Sequence, residues 1–290
     1  MRFLVNHMTR YAYSRPVFLE PHTLRLRPYS NASQELMHFK LEIEPKPSVW
    51  TEAADAEGND IAHAWFEDSA ESLVVKSEFE VETLRSNPFD FILLESSARR
   101  LPLEYPTDWR AQLAPYLAKT SSSDGPVAEY ARSVSEWAGG KTLPFLTVLN
   151  ERISSSYEVI VREQGDPLPA EVTLQSQQAA CRDLALLFME CSRCAGIASR
   201  FVSGYQASEP DGGPAYMHAW AEVYLPGAGW RGYDATQGLA VADRYVAVAA
   251  AAVPQLAAPI SGTFRGTGVF SSFEAEIEIT VREGTRASRS

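Results

Sequence analysis

Positive charge is in short supply in this chain. Its 26 Lys and Arg stand against 37 Asp and Glu over 290 residues, for a formal net charge of −11. Neutralising nucleic-acid phosphates takes clustered Lys and Arg, and no basic block is present, so a nucleic-acid partner is excluded. Cysteine is scarce too. Cys181, Cys191 and Cys194 are odd in number and confined to one short stretch, which excludes the disulfide framework of a small secreted scaffold. No apolar run approaches the ~18 residues of a membrane span; the alanine-rich run 246–253 is too short. The first seven residues lack the apolar run of a signal peptide. These absences predict a soluble, cytoplasmic protein without a membrane partner. No EF-hand loop occurs. No second CxxC or His pair joins Cys191-Ser192-Arg193-Cys194 toward the four ligands of a structural zinc. We therefore expect no metal and no cofactor, and read that CxxC, at the end of a helix, as core packing.

What is present is ordinary globular composition, with 45% hydrophobic and 22% charged residues. The first eighty residues alternate apolar and polar at period two, the mark of strands half-buried on one face. Leu73, Val75, Ser77, Phe79 and Val81 oppose Val74, Lys76, Glu78, Glu80 and Glu82. Residues 1–84 thus read as an antiparallel β-sandwich-like domain. Residues 85–143 read as a connector with helices, 144–245 as an α+β core, and 246–290 as a C-terminal extension with a final strand. Within 178–195, Cys181, Leu184, Leu187, Phe188, Cys191 and Ala195 fall on one helical stripe, and Gly196 supplies the stop. Strands are expected at 199–206, 217–225 and 230–233, with Gly204 a bulge or close-approach point.

Cys181 stands where the long helix begins. Unpaired amides and the dipole at a helix start favour thiolate over thiol, and the thiolate is the nucleophile. His218 heads one face of an alternating strand. Asp234 closes the next strand, which a turn at Pro226-Gly227-Ala228-Gly229 would fold back beside it. A carboxylate there would fix the imidazole's tautomer and stabilise imidazolium. Cys, His and Asp then supply nucleophile, base and orienter. Trp220 and Tyr224 share His218's face and are candidates to line a cleft. The four remaining histidines, His7, His22, His38 and His63, lie in the β domain without matched partners and read as structural.

Four segments carry a resemblance: Ala180-Cys181-Arg182-Asp183, Gly196-Ile197-Ala198-Ser199-Arg200-Phe201-Val202-Ser203-Gly204-Tyr205, His218-Ala219-Trp220-Ala221-Glu222-Val223-Tyr224 and Gly232-Tyr233-Asp234-Ala235-Thr236-Gln237-Gly238. In this order they resemble the bacterial transglutaminase-like superfamily, whose catalytic core is related to papain-like cysteine proteases. The resemblance implies an N-terminal β domain followed by a core whose Cys-bearing helix packs on an antiparallel sheet bearing His and Asp. It implies Cys181 as nucleophile, His218 as base and Asp234 as third member of a triad. It also makes Gln175, six residues before the cysteine, an oxyanion candidate, with Gln177 and Gln178 as competitors. The expected activity is cleavage of peptide or amide bonds through a thioester, more often by water than by amine transfer. The alternatives are a protein-glutamine amine transferase or a non-catalytic peptide-binding module, and the expected partner is a peptide or protein. Relatives tend to carry Gly-Arg-Asp-Tyr where 249–253 lies, which would give this chain an unusual substrate rim.

Overall fold

The structure, a computed structural model, describes residues 1–207 and 215–283. Its β domain opens with β1 (Arg2–Leu19), β2 (His22–Leu24), β3 (Gln34–Glu44), β4 (Val49–Ala54), β5 (Asp60–Trp65) and β6 (Ser69–Thr83). The period-two alternation is the cause: inward side chains of β1 and β6 are buried and outward ones are not. β6 pairs antiparallel with both β1 and β3. β2, β5 and β4 form part of a second sheet. Val17, Leu19, Leu24, Ala62, Leu73 and Val75 pack between the two sheets.

The helices follow: α1 (Pro126–Trp137), α2 (Thr142–Ser156), α3 (Ala170–Gln175) and α4 (Cys181–Cys194). Next come β7 (Ser199–Gln206), β8 (Met217–Leu225), β9 (Gly229–Asp234) and β10 (Tyr245–Ala251). These strands lie antiparallel in the order β9, β8, β7, β10, with the short strand Leu239–Ala240 beyond β9. Ala219, Ala221 and Val223 of β8 pack with Leu184, Leu187 and Phe188 of α4 in the main core. Gly204 of β7 is the close-approach point. A Cβ there would stand 2.1 Å from the Val246 carbonyl oxygen and 2.7 Å from the Trp220 ring.

Three boundaries differ from expectation. Residues 85–143 are not only a connector, since Val127, Ala131 and Val134 of α1 sit in the main core with the cysteine helix. The core does not stop at 245, because β10 is its fifth strand and pairs with β7. The last strand, β11 (Ser271–Arg282), is no extension: it pairs antiparallel with β1 from Tyr13↔Ser271 to Arg2↔Arg282 and completes the β domain. The β domain and core also share a hydrophobic cluster. Phe3, Val5, Phe79 and Val81 pack against Tyr205, Val246 and Val248.

Candidate active site

Cys181 is the first residue of α4, with Ala180 as N-cap. Asp183 fixes this end. Its buried carboxylate accepts the Ala180 N–H at 3.0 Å and the Leu168 N–H at 2.8 Å, and pairs with Arg162. Arg182 donates to the main-chain oxygens of Arg162 and Gly165. The loop before the cysteine is thereby tied to the helix start. The Asp183 and Leu184 amides bond to the Ala180 carbonyl, whereas the Cys181 amide has no intrahelical acceptor.

The antiparallel β8–β9 hairpin pairs Leu225 with Gly229 and Ala221 with Tyr233, which returns Asp234 to His218. His218 Nε2 lies 2.7 Å from Asp234 Oδ2. The imidazole also hydrogen-bonds the Cys181 thiol, so Nδ1 is the nitrogen left for sulfur. Asp234 is fully buried. Its Oδ1 accepts the Thr236 N–H at 2.9 Å and the Gln237 N–H at 3.4 Å. The turn after it therefore serves the carboxylate through two main-chain amides.

The electrostatics follow from these contacts. Burial pushes the Cys181 thiol up, but the His218 hydrogen bond and charge, the Ala219 N–H and the nearby Arg182 outweigh it, so its pKa is lowered. Burial pushes His218 down, yet Asp234 and the Cys181 sulfur raise it to about 10. Burial opposes ionisation of Asp234 too, and the imidazolium overcomes it; the carboxyl is held below its ordinary range. The favoured charge state is thiolate, imidazolium and carboxylate in a row. Cys191 and Cys194 go the other way. Burial raises both, most strongly at Cys191 in the main core, so both stay thiols.

Other expected site residues lie elsewhere. Gln175 ends α3 exposed and is not among the residues lining the cleft that holds Cys181 and His218, because α3 ends before the chain turns in to the cysteine. Gln178 is occupied by Glu158 at 2.7 Å. Trp220 is only 1% exposed and stacks edge-on against Tyr245 behind His218; Tyr224 packs against Trp109 and Trp230. Neither lines the cleft, since their strand face turns into side chains from the strands and helices beside it. Of the stretch 249–253, residues 249–252 are buried in and just after β10, and only Val253 is exposed, at 48%.

Two contributors went unread in the sequence. Tyr245 donates its hydroxyl to Asp234 Oδ2 at 2.9 Å, and Gln206 Nε2 donates to that hydroxyl at 3.2 Å. An aromatic opening the buried strand that follows the aspartate strand along the chain was the available signal. His7 of β1 also lines the cleft, bonded to Tyr205 Oη at 2.7 Å and Thr9 at 3.0 Å. No local pattern links residue 7 to residue 205.

Comparison with known proteins agrees with this architecture. Residues 3–82 match the bacterial transglutaminase-like N-terminal region, and residues 119–235 match the transglutaminase-like superfamily. An uncharacterized protein of Mycobacterium bovis is 26% identical over 98% of this chain and 94% of its own length. One from Mycobacterium leprae is 23% identical over 96% and 98%. The crystal structure of a putative cysteine protease from Cytophaga hutchinsonii covers 98% of this chain and 92% of that chain, with a TM-score of 0.68 at 18% identity, and so shares the fold. With an N-terminal β domain and an α+β core that both match, the chain belongs to the transglutaminase-like superfamily.

Proposed function

We propose that the chain is a cysteine enzyme that cleaves peptide or amide bonds through a thioester, with Cys181, His218 and Asp234 as its catalytic triad and water as the usual acceptor. The observation that carries this reading is the hydrogen-bonded row from the Cys181 thiol through His218 to the buried Asp234, in which thiolate and imidazolium are both favoured. The thiolate attacks the amide carbonyl carbon and forms the C–S bond while the carbonyl pair moves onto oxygen. The Cys181 N–H, left without an intrahelical acceptor at the helix start, is the donor assigned to that oxyanion. The C–N bond then breaks as imidazolium gives its proton to the leaving amine. Neutral His218 next takes a proton from water as the water oxygen attacks the thioester. Collapse releases the acid and restores thiolate and imidazolium.

Water is favoured over an amine because it is always available and nothing in the motif demands an amine site. The partner is a peptide or protein segment, and a working free thiol suits the reducing cytoplasm. Among the described residues no helix is long and apolar enough to cross a membrane.

The test is the pH dependence of Cys181 alkylation by iodoacetamide, in the wild type and in His218→Ala. The wild type should titrate below the ordinary thiol value of ~8.5, and His218→Ala should return the midpoint toward it. A free-thiol midpoint unchanged by losing His218 would end the enzyme reading. Incubation with a glutamine peptide and a labelled primary amine then separates acceptors, and amine incorporation in place of hydrolysis overturns the choice of water.

A further inference from the structure

The β domain forms one wall of the cleft that holds Cys181 and His218. That cleft measures about 740 Å³, inside the roughly 300–1,000 Å³ of ligand sites. Its β-domain wall is a run of consecutive inward-facing cross-strand pairs between β1 and β11: His7↔Ile277, Thr9↔Ala275 and Tyr11↔Phe273. Residues two apart on a strand share a face, so one stripe runs from Phe3 to Tyr11. At its start, Phe3 and Val5 are covered by the core strands. Further along β1, Val17 and Leu19 are covered by the second sheet of the sandwich. Between them, His7 bonds Tyr205, Ile277 touches the first cover and Tyr11 the second, and the surface that these contacts leave uncovered lines the cleft. Tyr11 and Phe273 hold each other with ring centroids 5.3 Å apart, while Ala275 between Phe273 and Ile277 is exposed and leaves a notch.

The loop before the cysteine also lines the cleft, and its Arg162, like Arg182 of α4, already has acceptors. Arg162 is paired with Asp183, and Arg182 is bonded to main-chain oxygens. Glu163 and Asp166 stand on the same loop at the cleft. An acidic side chain entering beside this loop would meet the like charge of Glu163 and Asp166, while Arg162 is already paired with Asp183. An aromatic or aliphatic one would meet Tyr11, Phe273 and Ile277.

We infer that the β1–β11 ladder is a substrate subsite, which makes the β domain part of the active site and selects peptides with an aromatic or large aliphatic side chain beside the attacked amide. This rests on the cysteine-enzyme reading above. The test uses four chloromethyl ketones, acetyl-Phe-Gly, acetyl-Gly-Phe, acetyl-Asp-Gly and acetyl-Gly-Asp, which alkylate Cys181 directly, with iodoacetamide as the probe that reaches no subsite. In the wild type at least one Phe probe should react about tenfold or more faster than its Asp counterpart. Ala275→Lys, which puts an ammonium into the notch where an Asp side chain can pair with it and a Phe ring cannot, should reduce that ratio below about threefold and leave the iodoacetamide rate unchanged. Should Ala275→Lys alter the iodoacetamide rate, Phe273→Ala replaces it, with the same expected loss of preference. Equal Phe and Asp rates in the wild type, or a preference that survives both substitutions, overturns the subsite while a lowered iodoacetamide midpoint keeps the cysteine enzyme standing. A free-thiol midpoint overturns both.

Discussion

His7 and His218 both line one cleft, His7 from the β domain and His218 from the core, and their pKa values have been driven in opposite directions. Burial disfavours imidazolium at both positions. At His7 nothing answers it: the ring meets the hydroxyls of Tyr205 and Thr9, and its pKa falls to about 4. At His218 the buried carboxylate of Asp234 and the sulfur of Cys181 answer it, and the pKa rises to about 10. What separates the two histidines here is the charge of the neighbour. The cleft therefore has a neutral wall on the β domain and an ionised row on the core.

The sharpest way to break this contrast is to give His218 the surroundings of His7. Asp234→Asn keeps the shape and removes the charge. In the wild type, kcat/KM should rise with pH as Cys181 ionises below its ordinary value and fall as imidazolium is lost near pH 10. In Asp234→Asn the basic limb should move well below 10, and the rate at neutral pH should drop about 10²–10⁴-fold. A variant that keeps its basic limb near 10 would show that the carboxylate does not hold the proton on His218.

The opposite manipulation is smaller and reads stability. Because the pKa of His7 lies below its ordinary 6.5 in the folded state, the unfolded chain takes up a proton first as pH falls. Folding stability is therefore lost between 6.5 and about 4, by up to about 3 kcal/mol. His7→Gln should flatten that acid loss, seen as a smaller change in the denaturant midpoint between pH 7.5 and 4.5, whatever its effect at neutral pH. An acid loss as steep as the wild type's would mean that His7 is not held neutral.

How far the sequence carried depends on how far apart the relevant residues lie. The long alternation of β6, the stripe of α4 and the β8–β9 hairpin are local patterns. From them Cys181, His218 and Asp234 could be named, and the resemblance placed them in one fold. The return of β11 to β1 pairs residues as far apart along the chain as Tyr11 and Phe273. Its alternation of Glu274, Glu276 and Glu278 with Ala275 and Ile277 reads as a strand without saying whose neighbour it is. Gln175 was put forward on its spacing from Cys181, a distance along the chain, and the exposed end of α3 does not convert it into nearness. Trp220 was assigned to the cleft from its face of β8, but that face is covered by Tyr245 of β10, a strand whose apolar run suggested only a failed membrane span.

The mildest change bears on geometry rather than charge. Tyr245 Oη donates to the same Asp234 oxygen that receives His218 Nε2, so it holds the carboxylate from the side away from the cleft, which Tyr245 does not line. A hydrogen bond to a charged group contributes about 1.5–3 kcal/mol, but Asp234 keeps the Thr236 and Gln237 amides on its other oxygen, so only part of that should reach the chemistry. Tyr245→Phe should lower kcat about three- to tenfold and leave KM unchanged. The hydroxyl helps to keep Asp234 ionised; without it the carboxylate draws the His218 proton more strongly, so the basic limb should stay near pH 10 or move higher. The direction of that limb separates the two aspartate perturbations: loss of charge in Asp234→Asn lowers it, and loss of alignment in Tyr245→Phe does not. If Tyr245→Phe lowers it, the tyrosine is acting on the proton affinity of His218 and not on the position of Asp234.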